Sequence, residues 1–222
     1  MRDPIKISIV TMLFSLLSYP SLNAQVYDEI APFGEYQKNW ALVEKGGLQG
    51  FIDRDEKEVV TPKYDAISPF GKIKENWALV EKGGLEGFID KDGTEVVKPK
   101  YDAISVFGKV NVNWALVEKG GLEGFIDMDG FEVVKPKYDA ISVFGKINVN
   151  WALIEKGGLE GFIDMDGFEV VEPKYDAISA FGTIKENLAM VEKGGLFGFI
   201  NKKGIEVVKL GEYTPLNPGP PS

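Results

Sequence analysis

The sequence predicts an all-β protein, a tandem array of five 37-residue β-meander repeats, and three observations lead there. Trp40, Trp77, Trp114 and Trp151 recur at a step of 37 residues, with Leu188 in the fifth place. The same step links Tyr27, Tyr64, Tyr101, Tyr138 and Tyr175, and also Phe51, Phe88, Phe125, Phe162 and Phe199, so the period holds without insertion from Tyr27 to Gly211. Inside a unit no stretch sets apolar residues at helical spacing, and Gly or Pro interrupts the chain as often as short strands and tight turns require. A fixed period of this size marks an array in which each unit buries its apolar face on its neighbours.

In chain order, residues 1–24 read as a secretory signal peptide. Arg2 and Lys6 precede an apolar run from Ile7 to Leu17, and cleavage is expected after the small Ala24. The run is too short for a membrane span of roughly 20 residues. Residues 25–211 then hold the five units, 27–63, 64–100, 101–137, 138–174 and 175–211. In the second unit, Trp77–Lys82 and Leu85–Asp90 are expected strands joined at Gly83-Gly84, a pair suited to the positive φ angles of a two-residue hairpin turn. Asp90-Lys91-Asp92-Gly93 turns the chain into Glu95-Val96-Val97. Pro99 is expected to stop that strand, and Tyr101-Asp102-Ala103-Ile104 to begin a fourth extended piece. Trp77 and Leu79 point to one face and Ala78 and Val80 to the other, so the strand is apolar on both sides and expected between neighbouring layers. The third and fourth units differ only at Val110/Ile147, Val117/Ile154 and Lys135/Glu172, the mark of a recent duplication. Residues 212–222, EYTPLNPGPPS, are rich in proline and without period, and are expected as a disordered, polyproline-like tail.

Composition removes whole classes of chemistry. The 222 residues include no cysteine and no histidine, which excludes Ser-His-Asp and Cys-His nucleophile pairs, HExxH zinc sites, thiolate clusters and disulfides. A formal net charge of -9 works against nucleic acid, whose phosphates require clustered cations. Loss of Arg2, Lys6 and Asp3 with the leader takes the charge to -9 - 1 = -10. No later segment could span a bilayer, so the mature chain is expected to be exported, periplasmic or extracellular.

The recurring pattern YDxI-x2-F-x6-(W)AxVEKGG-x2-GFID-x-DG-x-EVV-x-PK resembles the WG (KWG) β repeats of bacterial proteins, over Tyr27 to Gly211. One departure is consistent: Gln49, Glu86, Glu123, Glu160 and Phe197 stand where such repeats carry the tryptophan of the Trp-Gly pair, before Gly50, Gly87, Gly124, Gly161 and Gly198. The resemblance implies the β-repeat fold, no catalytic residues and no common ligand.

Several residue groups invite a functional reading. D-x-D-G-x-E occurs with Asp90 and Asp92, with Asp127 and Asp129, and with Asp164 and Asp166, a clustering of carboxylates that could ligate Ca²⁺. The competing reading is an Asp-initiated turn with Gly at positive φ, favoured because the last unit keeps a turn with Asn201-Lys202-Lys203-Gly204. A tryptophan ladder could stack sugars, but Leu188 replaces the ring in the fifth unit, which favours core packing. Phe131 and Phe168, beside turns where other units have Lys57, Thr94 and Ile205, are the expected exposed aromatics and the candidate contact patch. Glu81-Lys82 and its copies read as solvated hairpin tips. Near-identical units offer no unique carboxylate pair, so no enzyme, no cofactor and no resident metal are expected. Five units can stack openly or close into a five-bladed β-propeller. A 37-residue unit is short for a propeller blade and the terminal units depart from consensus as caps do, which favours the open, elongated array. The expected function is that of an exported binding or scaffold module for an unidentified protein or envelope partner, with a carbohydrate-binding module as the alternative and a carboxylate-dependent enzyme as the least favoured.

Overall fold

The structure, a computed structural model, describes residues 27–109, 113–145 and 150–215. The leader and the end of the tail lie outside the described residues. Every regular element within them is a strand, and no helix there is long and apolar enough to cross a membrane.

Each repeat forms one four-stranded antiparallel sheet in sequence order, and there are five such sheets. The first contains β1 (Glu29–Ile30), β2 (Trp40–Lys45), β3 (Leu48–Asp53) and β4 (Glu58–Tyr64). The second contains β5 (Ala66–Ile67), β6 (Trp77–Lys82), β7 (Leu85–Asp90) and β8 (Glu95–Tyr101). The third holds β9 (Ala103–Ile104), β10 (Ala115–Lys119), β11 (Leu122–Ile126) and β12 (Glu132–Tyr138); the fourth holds β13 (Ala140–Ile141), β14 (Trp151–Lys156), β15 (Leu159–Asp164) and β16 (Glu169–Tyr175). The fifth ends the array with β17 (Ala177–Ile178), β18 (Leu188–Lys193), β19 (Leu196–Asn201) and β20 (Glu206–Tyr213). The hairpin between β6 and β7 turns at Gly83 (φ 60°) and Gly84 (φ 74°), both left-handed as the Gly-Gly pair requires.

Two local expectations are revised. Pro99 does not end its strand: β8 runs through it to Tyr101. The proline is tolerated because β8 is the outer strand of its sheet and its pairing is broken there. Between the pairs Phe88↔Val97 and Glu86↔Tyr101, three residues of β8 pass over the single Gly87. Tyr101-Asp102-Ala103-Ile104 is likewise not one extended piece. Tyr101 closes the second sheet, Ala103 opens the third, and the chain changes layer at Asp102. Its amide donates to the Glu118 carbonyl at 2.8 Å while its carboxylate accepts from Gly120 N–H. β20 reaches Tyr213, two residues into the segment expected as tail.

The sheets stack face to face, so each core is half one repeat and half the next. Between the first two, Trp40, Phe51, Val60 and Tyr64 of one sheet meet Ile67, Ala78, Val80 and Ile89 of the other. Equivalent cores fill the other three junctions. On the outer face of the first sheet, Tyr27 packs with Ala41, Val43 and Ile52. β3 touches β5 and β4 touches β6, the same contacts recur at later junctions, and no comparable contact joins the first sheet to the last. The array is therefore open, and the closed ring does not form.

Candidate functional site

The candidate residues fall at two opposite ends of the sheets. Gly-Gly hairpins and their Glu-Lys pairs lie at one end; Asp-Gly turns, and the loops that lead into each Trp strand, lie at the other, because Trp77 pairs with Asp90 while Lys82 pairs with Leu85.

At the turn end, Asp90 Oδ1 accepts from the amides of Asp92 and Thr94, both at 2.9 Å. Asp127 does the same for Asp129 and Phe131, and Asp164 for Asp166 and Phe168. In the last repeat the neutral Asn201 takes over, accepting from Lys203 at 2.9 Å and Ile205 at 3.2 Å. One oxygen of each first Asp is thus engaged in shaping its own turn. Asp92, Asp129 and Asp166 lie beyond it in exposed positions, and among the described residues no group of three or more acids is placed to hold a metal ion. Because Asn201 serves equally, Asp127→Asn is expected to leave the melting temperature nearly unchanged, whereas Asp127→Ala strands two amides and costs about 1–2 kcal/mol. Melts with EDTA and with millimolar Ca²⁺ should coincide; a Ca²⁺-dependent rise lost in Asp127→Asn would show a metal site instead.

A second set of polar side chains ties each repeat to the next. Tyr64 Oη donates to Glu95 Oε1 at 2.7 Å, and Lys63 Nζ bonds the same oxygen at 2.8 Å while standing 5.0 Å over the Tyr64 ring. The clamp recurs as Tyr101–Glu132–Lys100 and Tyr138–Glu169–Lys137. Hydrogen bonds from Lys63 and then Tyr64 hold the Glu95 carboxyl below its ordinary range. Burial, reinforced by Glu169, pushes the Tyr138 phenol up to about 12.

The positions where tryptophan is replaced in the Trp-Gly pair have a structural task that the sequence did not reveal. Gln49 Oε1 accepts from Ile67 N–H at 2.8 Å across the junction. Glu86, Glu123 and Glu160 accept likewise from Ile104, Ile141 and Ile178 at 2.5–2.6 Å. Phe197, whose side chain has no hydrogen-bond acceptor, occupies the fifth position. A signal existed: each acceptor precedes its donor by 18 residues, in four successive units.

The tryptophans are core. Trp40 is 7% exposed, its ring 5.3 Å from Phe51 and 5.8 Å from Phe70 of the next repeat, so no indole face is open to a sugar. Phe131 and Phe168 are open to solvent, at 72% and 71% exposure. Glu81-Lys82, Glu118-Lys119 and Glu155-Lys156 stand exposed at the hairpin end. No buried side-chain oxygen or nitrogen lacks a partner among the described residues.

The WG containing repeat family matches residues 50–85, 87–122, 124–159 and 161–197. No curated protein matches the chain. Among solved structures, Kluyveromyces lactis Hsv2 with complete loop 6CD is similar at 10% identity and a TM-score of 0.30, over 77% of this chain and 58% of that one. A eukaryotic initiation factor is similar at 11% identity and a TM-score of 0.33, over 82% of this chain and 55% of that one. The WD40 β-propeller domain of Doa1 is similar at 10% identity and a TM-score of 0.27, over 78% of this chain and 64% of that one. The chain thus spans less than two thirds of the length of each of these structures.

Proposed function

The chain belongs to the WG containing repeat family, and from that premise we propose that it is an exported, non-catalytic scaffold whose repeated surface engages a basic protein partner of the cell envelope. One observation carries the reading: the four junctions are joined by equivalent polar side chains, and what remains exposed is a row of equivalent residues. At the hairpin end Glu81, Glu118 and Glu155 are exposed in successive sheets, beside Asp65, Asp102 and Asp139. Stacked sheets are spaced about 10 Å apart, so the acids form a ladder of matching rungs suited to an extended cationic surface. Catalysis needs one distinct constellation of groups with divergent pKa values, and copies of one unit supply none. Export rests on the charged and apolar order of residues 1–24.

Affinity capture from envelope and medium fractions on the immobilised chain tests the reading. The expected result is a specific basic protein, released as salt shortens the screening length to about 3 Å near 1 M. Combined Glu81→Lys, Glu118→Lys and Glu155→Lys should abolish its capture. Capture indifferent to both changes would overturn the acidic ladder as the binding surface. The exposure of Phe131 and Phe168 supports a second reading, carbohydrate binding; glycans retained by the natural chain and lost with Phe131→Ala and Phe168→Ala would favour it.

A further inference from the structure

The fifth repeat departs from its copies at several positions that converge on one cleft at its turn end. A space of about 390 Å³ opens there between Asn187, Leu188, Asn201, Lys202, Lys203 and Ile205. Four of the six, Leu188, Asn201, Lys203 and Ile205, stand where no other unit carries the same residue. Leu188 takes the place of a tryptophan, and its shorter side chain is half-buried in the lining. The backbone differs as well. Asn187 enters the strand at φ 60°, in a left-handed region that its counterparts Asn39 and Asn76 do not occupy.

The charge reverses at the same place. The turns of the third and fourth repeats carry Asp127 and Asp129, and Asp164 and Asp166; the fifth carries Lys202 and Lys203. In the first two repeats the residue matching Lys202 is already engaged, since Arg54 donates to the Lys38 carbonyl at 3.3 Å and Lys91 Nζ to Asn76 Oδ1 at 2.7 Å. Among the described residues neither the Lys202 nor the Lys203 ammonium has an ion pair or a hydrogen bond. Glu186 and Glu206 flank the cleft without lining it, and Glu206 is held by Tyr175 Oη at 2.5 Å. Asn201 adds a donor. Its Oδ1 accepts from Lys203 and Ile205 as the aspartates do in their own turns, which leaves an Nδ2 amide where those turns have a second carboxylate oxygen.

We propose that this cleft binds a small free carboxylate with an apolar body. Lys202, Lys203 and the Asn201 amide take the anionic end, while Leu188 and Ile205 take the apolar body. The cleft lies within the roughly 300–1,000 Å³ of small-molecule sites, and it combines apolar walls with a few polar groups as such sites do. Two cations fall short of the cluster of about 4–8 that an anionic bilayer surface calls for, so a single free acid is the occupant that fits.

Titration of octanoate into the full chain, followed by the methyl resonance of Ile205, tests this. The natural chain should show saturable shifts with a Kd below about 1 mM. Lys202→Glu with Lys203→Glu should weaken binding at least about tenfold, with an unchanged circular dichroism melt because both side chains are exposed. Leu188→Trp, which restores the residue of the other four units, should close the cleft and abolish binding. Lys119→Glu, at the exposed hairpin end of the third sheet, should change nothing. Octylammonium should not bind, and inorganic phosphate should bind at least about tenfold more weakly than octanoate. No saturation by octanoate, binding that survives either the double charge reversal or Leu188→Trp, or equal affinity for octylammonium or phosphate would each overturn the proposal. Capture of the chain by anionic phospholipid vesicles, lost in the double variant and unaffected by free octanoate, would assign the lysines to a lipid surface and overturn it as well. No arm of the test involves the envelope partner, so the cleft and the acidic ladder stand or fall separately.

Discussion

Gly124→Ala is expected to cost about 3 kcal/mol or more, at the upper end of overpacking changes. A methyl group on Gly124 would sit 2.4 Å from the Val134 carbonyl oxygen and 2.6 Å from the Pro136 nitrogen. Both are backbone atoms, so no side chain can rotate away. The crowding arises where β12 departs from regular pairing: Phe125 pairs with Val134 and Glu123 with Tyr138, leaving three residues of β12 above one glycine of β11. Relief would require the outer strand to lift, and Tyr138 to withdraw from the junction with the fourth sheet. Gly121→Ala is the control. Nothing lies within 4 Å of its added carbon, and its penalty is only that of φ +74°, about 1–2 kcal/mol. Urea unfolding followed by circular dichroism should show a much lower midpoint for Gly124→Ala than for Gly121→Ala. Equal midpoints would refute the steric argument. The same close approach is found at Gly50, Gly87, Gly161 and Gly198, at 2.3–2.6 Å to a backbone oxygen. This gives a reason why the glycine of the repeat motif is kept while its tryptophan is not.

Phe125→Ala should be comparably damaging, about 3–5 kcal/mol. Its ring is fully buried, 5.1 Å from Trp114 and 6.3 Å from Phe144 across the junction. Because the third sheet shares cores with both neighbours, its loss uncouples the array and a single cooperative transition should split into two. Phe199 is equally buried, yet it lies at the end, covered by Tyr213 at 4.7 Å and by the Lys185 ammonium at 4.7 Å. Phe199→Ala should therefore loosen the last sheet alone and leave the main transition near its natural midpoint. Denaturation monitored by tryptophan fluorescence separates the cases, since all four tryptophans precede the last sheet's β18.

Much of this architecture was legible in the sequence because strand alternation and turn chemistry are local. Trp77/Leu79 against Ala78/Val80 declared a strand buried on both faces, and Gly83-Gly84 declared its hairpin. What depended on the neighbouring sheet was not legible. Glu86 and Glu123 look like surface acids until stacking brings the Ile104 and Ile141 amides to them. Pro99 looks like a strand terminator until the outer position of β8 removes any need for its amide. Tyr213 stands one place late in the 37-residue period, and Gly211, at φ +86°, lets β20 take up the extra residue so that the ring still reaches Phe199. The exposure of Phe131 and Phe168 was legible from their place beside the turns.

Cores shared half and half between successive sheets also govern how such a molecule can be inherited. No repeat owns a finished interior, so a cut anywhere in the period exposes the same unfinished pair of surfaces. A copied stretch of 37 residues, wherever its boundaries fall, brings one surface of each kind and closes against the old ones without any new fit. A stretch of another length would misalign both. Lengthening by whole periods is thus the change this lineage can absorb without repacking a side chain, and the near-identity of residues 101–137 and 138–174 is what such an event leaves behind.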